Sequence, residues 1–111
     1  MDIEQYKQLA KLIKDNEVYK VYDLPELKDL EISLTELNPH ESTIGHSHAE
    51  ADEVYLFIKG QGIMENGSQN IDVKTGDVVP VKGGDFHRVH NKSEEILSFW
   101  AIFEKYGGRG K

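Results

Sequence analysis

The chain contains no cysteine. Disulfide staples and thiolate metal sites are therefore excluded. The absence accords with a reducing compartment, and a cytoplasmic location is expected. Basic charge is also scarce: 13 Lys and Arg face 20 Asp and Glu, a formal net charge of -7. Such a surface repels a phosphate backbone, so nucleic acid is not an expected partner. No apolar run approaches the roughly 20 residues that span a bilayer. The opening Met1-Asp2-Ile3-Glu4 lacks the basic and apolar regions of a secretory signal, so no membrane partner is expected. Internal repeats and low-complexity segments are absent as well. What remains is 111 residues, one domain with room for a modest core.

Ile3, Tyr6, Leu9, Ala10 and Ile13 recur at three- and four-residue spacing, which predicts a helix over 1–16. Its apolar stripe must rest on a sheet or on a second copy of the chain. From Glu17 the period changes to two. Short strands are predicted over 18–23, 30–37, 43–48, 53–58, 62–65, 69–73, 78–81, 86–91 and 96–103. Turn chemistry separates them: Gly60-Gln61-Gly62, Asn66-Gly67-Ser68, Thr75-Gly76-Asp77 and Gly83-Gly84-Asp85. Many short strands at even spacing predict an all-β sandwich or barrel over 17–105 behind the short N-terminal helix. The glycine-rich, basic residues 106–111 read as a flexible tail. The run Val54-Tyr55-Leu56-Phe57-Ile58 is apolar on both faces. One face belongs inside the barrel, and the other calls for a cover, so a homodimer is expected.

The chemistry concentrates between Gly45 and Gly60. His46 and His48 lie two apart, so on an extended strand both rings leave one face. Glu53 follows at the mouth of the apolar run, on the face of Tyr55 and Phe57. His87 shares a face with Val89, while Arg88 and His90 point the other way. A lone strand histidine is more often a hydrogen-bonded structural residue, and a lone glutamate is usually solvated. Three imidazoles and a carboxylate of matching parity instead suit a divalent transition metal: Fe, Mn, Ni, Zn or Cu. Four ligands leave two octahedral positions for water, dioxygen or a small-molecule ligand.

The segment His46-x-His48-x4-Glu53-x6-Gly60 resembles the first motif of the cupins. Gly76-Asp77-Val78-Val79-Pro80-Val81-Lys82-Gly83-Gly84-Asp85-Phe86-His87-x3-Asn91 resembles their second. The resemblance covers residues 30–103. It implies a jelly-roll barrel, the double-stranded β-helix. It also implies that His46, His48, Glu53 and His87 stand at the family's metal-ligand positions. The sequence departs at two turn positions, where His40 replaces a glycine and Lys82 a proline. His40 follows Pro39 in a turn and is expected at the surface. Glu50 and Asp52 compete with Glu53 for the carboxylate role, but belong to a solvated turn. His90 belongs to the outer face, and Gly60 and Gly62 to a strand turn.

Function is less determined. The stretch Glu53-Val54-Tyr55 followed by Lys59-Gly60-Gln61-Gly62-Ile63-Met64 is similar to cupin-type phosphoglucose isomerases. This implies a metal-dependent isomerase or epimerase of a sugar or sugar phosphate, with Glu53 and Tyr55 as catalytic residues. By parity, Lys59 is the phosphate partner available on the central strands. The ligand set also resembles that of acireductone dioxygenases, whose arginine shortly after the glutamate is absent here. An Fe(II) dioxygenase and a non-catalytic metal- or ligand-binding cupin are the alternatives.

Overall fold

The computed structural model describes residues 1–47 and 51–104. Its elements in chain order are α1 (Ile3–Leu9), β1 (Lys11–Asp15), β2 (Tyr19–Leu24), β3 (Leu30–Leu37), β4 (Glu53–Lys59), β5 (Gln61–Asn66), β6 (Gln69–Lys74), β7 (Val78–Val81), β8 (His87–His90) and β9 (Leu97–Glu104). Among the described residues the strands form two antiparallel sheets, ordered β1-β2-β3-β9-β4-β7 and β6-β5-β8. The result is all-β with one short helix, a double-stranded β-helix whose sheets enclose a core of Phe57, Met64, Leu37 and Leu97.

The predicted helix is real but shorter. A capping box starts it: Asp2 Oδ1 accepts from the Gln5 amide, and the Gln5 side chain accepts from the Asp2 amide, both at 2.9 Å. It stops at Leu9. Residues Lys11–Asp15, expected to be helical, instead pair with β2. The Asn16 side chain accepts from the amides of Val18 and Tyr19 at 2.9 and 3.0 Å, and so closes a tight turn between the strands. An isolated helix shorter than about 12 residues is marginal, and the ladder to β2 wins.

The helix covers the outer face of the large sheet. Tyr6 meets Trp100 edge-on with ring centroids 4.7 Å apart. Its hydroxyl donates to the carbonyl of Tyr22 at 2.9 Å or of Ile32 at 3.0 Å. Burial, more than the nearby carboxylates of Asp23 and Glu31, pushes that hydroxyl's pKa up, so it stays a donor. Lys7 Nζ reaches Glu36 at 2.7 Å, and this hydrogen bond holds its ammonium above the ordinary lysine range. Covering the outer face explains why Leu34, which points away from the barrel interior, is 1% exposed.

On the inner face, Glu53, Tyr55 and Phe57 are all buried, as their shared parity predicts. The predicted strand 43–48 is reduced in its described part to one isolated bridge, His46 to His87, and Ser42 just before it bridges His90. His40 adopts φ 62°, the left-handed region that the glycine of the motif would enter freely. It is exposed and contacts Glu94 at 2.7 Å. The C-terminal tail, residues 106–111, lies outside the described residues.

Candidate metal centre

Two of the candidate ligands are placed by one backbone pairing. The His46 amide donates to the His87 carbonyl at 3.2 Å, and the His87 amide returns the bond at 2.9 Å. Directly opposed residues project to the same side, and their rings lie 4.4 Å apart at 71°. Gly45 makes room for the approach. A Cβ there would stand 2.1 Å from the ring of Phe86, the residue before His87.

The same contacts orient the rings. Nδ1 of His87 lies 3.1 Å from the Asp85 carbonyl, and Nδ1 of His46 lies 3.3 Å from that of Ile44. A carbonyl oxygen only accepts, so Nδ1 is the donor in each contact and Nε2 is the ring atom left for a metal. Glu53, at the first position of β4, brings a carboxylate that is 2% exposed. Its Oε2 is 3.5 Å from His87 Nε2. A carboxylate at this depth needs a compensating positive charge.

His46, Glu53 and His87 each bring a ligand atom to within 4.8 Å of the others. An ion about 2.1 Å from two ligands at tetrahedral or octahedral angles separates them by about 3.0–3.4 Å, close to the His87–Glu53 spacing. Two imidazoles and a carboxylate form a borderline donor set suited to Mn, Fe, Ni, Zn or Cu. The residues therefore fit a divalent transition metal. His48, expected as the fourth ligand, lies outside the described residues, as does Glu50. Asp52 is exposed and accepts from the Gly83 amide at 2.8 Å, a turn contact. His90 lies 2.7 Å from the Ser42 hydroxyl on the opposite face from His87.

The site opens into a cup of about 380 Å³ lined by His46 and Tyr55. The Tyr55 ring stacks on Phe99 at 5.5 Å and lies 5.8 Å from the His87 ring. Lys59, the expected phosphate partner, is exposed and takes no part in the lining. The far wall was not anticipated from sequence. Glu31, Ser33 and Thr35 on β3, Asp23 on β2 and Lys14 on β1 all line the cup. The alternation on β3 was visible, but the pattern alone does not say which face turns inward. The helix covers the face of Leu34, and the polar residues face the cup.

The family model described as "Cupin domain" matches residues 33–103. The chain belongs to the cupin family. This cupin is 29% identical over 65 residues to a protein of Thermotoga maritima named an oxalate-binding protein, covering 58% of this chain and 54% of the relative. It therefore spans about half of that relative's length. Among solved structures, the Bacillus subtilis oxalate decarboxylase, described with Mn(II) centres, is 25% identical with a TM-score of 0.78, over 87% of this chain but 29% of that one. A Klebsiella pneumoniae protein described as having a double-stranded β-helix domain is 18% identical, with a TM-score of 0.78 over 94% of this chain and 87% of that one. A likeness at that identity shows the fold alone. No described helix of this cupin is long and apolar enough to cross a membrane.

Proposed function

We propose that this cupin holds one divalent transition metal on His46, His48, Glu53 and His87, and binds a small molecule to it through oxygen atoms. We further propose isomerisation or epimerisation of a sugar-like ketol as its reaction. The observation that carries the reading is the meeting of two imidazoles and a carboxylate, one of which, His46, lines a cup. The bound ion would supply Lewis-acid polarisation of a carbonyl. The chain's own residues do the rest. Backbone carbonyls at Ile44 and Asp85 fix the tautomers of the two histidines. Glu53 provides the balancing anion. Tyr55, stacked on Phe99 and lining the cup, would carry a proton between neighbouring carbons of the ligand. A phosphate on the substrate has little support, because Lys14 is the only lysine or arginine among the described residues lining the cup.

The relative named for oxalate binding favours a second reading, a cup that binds a small acid without turnover. Both readings include a homodimer. The exposed edge strand β1, with Leu12 and Ile13 at 46% and 49% exposure, offers a second copy a pairing edge.

The test combines metal analysis of the purified protein with turnover of unphosphorylated ketoses and aldoses, with and without chelator, and with an oxygen electrode. About one metal per chain and chelator-sensitive isomerisation are expected. Bound metal with no turnover selects the binding reading, and oxygen uptake selects a dioxygenase. Failure to take up any of the five metals overturns the proposal.

A further inference from the structure

The candidate ligands stand on two different sheets. His87 opens β8 of the small sheet and His46 bridges to it, whereas Glu53 opens β4 of the large sheet. No strand pairing joins the two sheets among the described residues. The 3.5 Å between His87 Nε2 and Glu53 Oε2 is therefore not dictated by a backbone ladder. At the closed end of the barrel the apolar core holds the sheets together. Beside the candidate ligands, two polar side chains reach from one half to the other.

The first is Asn66. It pairs with His87, so one row of the small sheet runs Gln69–Asn66–His87–His46. The matching row of the large sheet begins Val81–Glu53–Phe103. Asn66 Nδ2 donates to the carbonyl of Pro80, the neighbour of Val81, at 3.1 Å. Proline has no N–H, so on the edge strand β7 this carbonyl is the polar group that Pro80 offers. Asn66 Oδ1 is shielded from solvent, which places the amide in the seam between the sheets.

The second is Asp52, which directly precedes Glu53. Its Oδ1 accepts from the Gly83 amide at 2.8 Å. Gly83 belongs to residues 82–86, the crossing from β7 on the large sheet to His87 on the small one. The crossing is turned by a bond from the Asp85 amide to the Lys82 carbonyl at 3.0 Å. The carbonyl of the same Asp85 accepts from His87 Nδ1 at 3.1 Å. A short chain of contacts thus runs from the backbone before Glu53 to the His87 ring.

We infer that Asp52 and Asn66 are positioning residues, which hold the Glu53 half and the histidine half of the site at metal-binding separation before an ion arrives. This deepens the proposed metal binding and rests on it. Without these contacts, the ion itself must order the two halves, and its affinity falls by that cost.

Substitutions of Asp52 separate position from charge. Asp52→Asn keeps an acceptor at the same reach and removes the charge. Asp52→Glu keeps the charge and moves its oxygens one methylene further out. Cu(II) is the probe, because a nitrogen–oxygen site binds it most tightly among the first-row divalent ions. In competition with a chelator, Asp52→Asn is expected to bind Cu(II) nearly as the unaltered protein does. Asp52→Glu and Asn66→Ala are each expected to bind it about ten-fold more weakly, the lower end of what losing a ligand's outer partner costs. The electron paramagnetic resonance spectrum of the bound Cu(II), which reads ligand geometry, is expected to change in those two variants and to hold in Asp52→Asn. A merely structural role would lower the melting temperature of the metal-free protein and leave that spectrum unaltered. Should Asn66→Ala fold poorly, the two Asp52 variants decide alone, since Asp52 is exposed. Affinity that follows the charge, weak in Asp52→Asn and intact in Asp52→Glu, overturns the inference. So does an unchanged affinity or an unchanged spectrum in Asp52→Glu. A protein that takes up no divalent metal overturns this inference together with the function it rests on. A loaded protein with the wrong order among the variants overturns this inference alone.

Discussion

The two ends of the barrel are built from the same strands and differ sharply in chemistry. On β3 the inward residues run Glu31, Ser33, Thr35, Leu37, from charged to apolar along one strand. On β4 they run Glu53, Tyr55, Phe57. The end around Leu37, Met64 and Leu97 is closed and fully buried. Asn91, 1% exposed, joins that end to its loops by donating to the carbonyls of Leu37, Asn38 and Glu95 at 2.7–3.1 Å. The other end holds His46, Glu53 and His87 beneath an open cup. One end carries stability, which leaves the other free to hold charges that a core would not tolerate. If this division is right, substitutions at the two ends have separable consequences.

The largest stability effect belongs to the closed end. Phe57→Ala removes a ring that is 1% exposed. It is expected to cost about 3–5 kcal/mol in chemical denaturation, while the folded fraction keeps its metal. Equal losses of stability and metal would erase the division. His87→Ala, at the open end, is expected to weaken metal binding by about 100-fold, at the upper end of what losing even an outer partner of a ligand costs. His48→Ala is expected to lose metal as well. Both should keep their far-ultraviolet circular dichroism, because the barrel has its own core. Asn91→Ala is expected to cost about 1–3 kcal/mol, the usual penalty for buried carbonyls left without donors, again without loss of metal. The smallest effect is at the surface. His40→Gly relieves a left-handed residue at φ 62°, a strain of about 1–2 kcal/mol. Against it stand the entropy of an added glycine and an exposed contact with Glu94 worth under about 1 kcal/mol. The melting temperature is expected to rise slightly or hold. A clear fall would mean that the His40–Glu94 contact matters more than the backbone.

The closed end was largely legible in the sequence. Glu53–Lys59 and Leu97–Glu104 are largely apolar on both faces, so their burial could be read from the sequence whichever face turned inward. The two histidines that meet were legible too, since each lies in a motif with fixed spacing. The strand at Lys11–Asp15 was not. Five residues with two apolar neighbours satisfy a helical and an extended period equally, and the choice was made by β2, eight residues downstream. The polar wall of the cup was hidden for a related reason. Glu31, Ser33 and Thr35 alternate with apolar residues in the pattern of a half-solvated strand. Only the placement of α1 on the other face turns them inward.

The central claim is that His46, His48, Glu53 and His87 grip one ion. Anomalous diffraction from crystals of the metal-loaded protein tests it most directly. The account predicts a single peak about 2.0–2.2 Å from Nε2 of His46 and His87 and from a Glu53 oxygen, with the His48 ring completing the set. A peak elsewhere, or none from protein with full metal content, would contradict it.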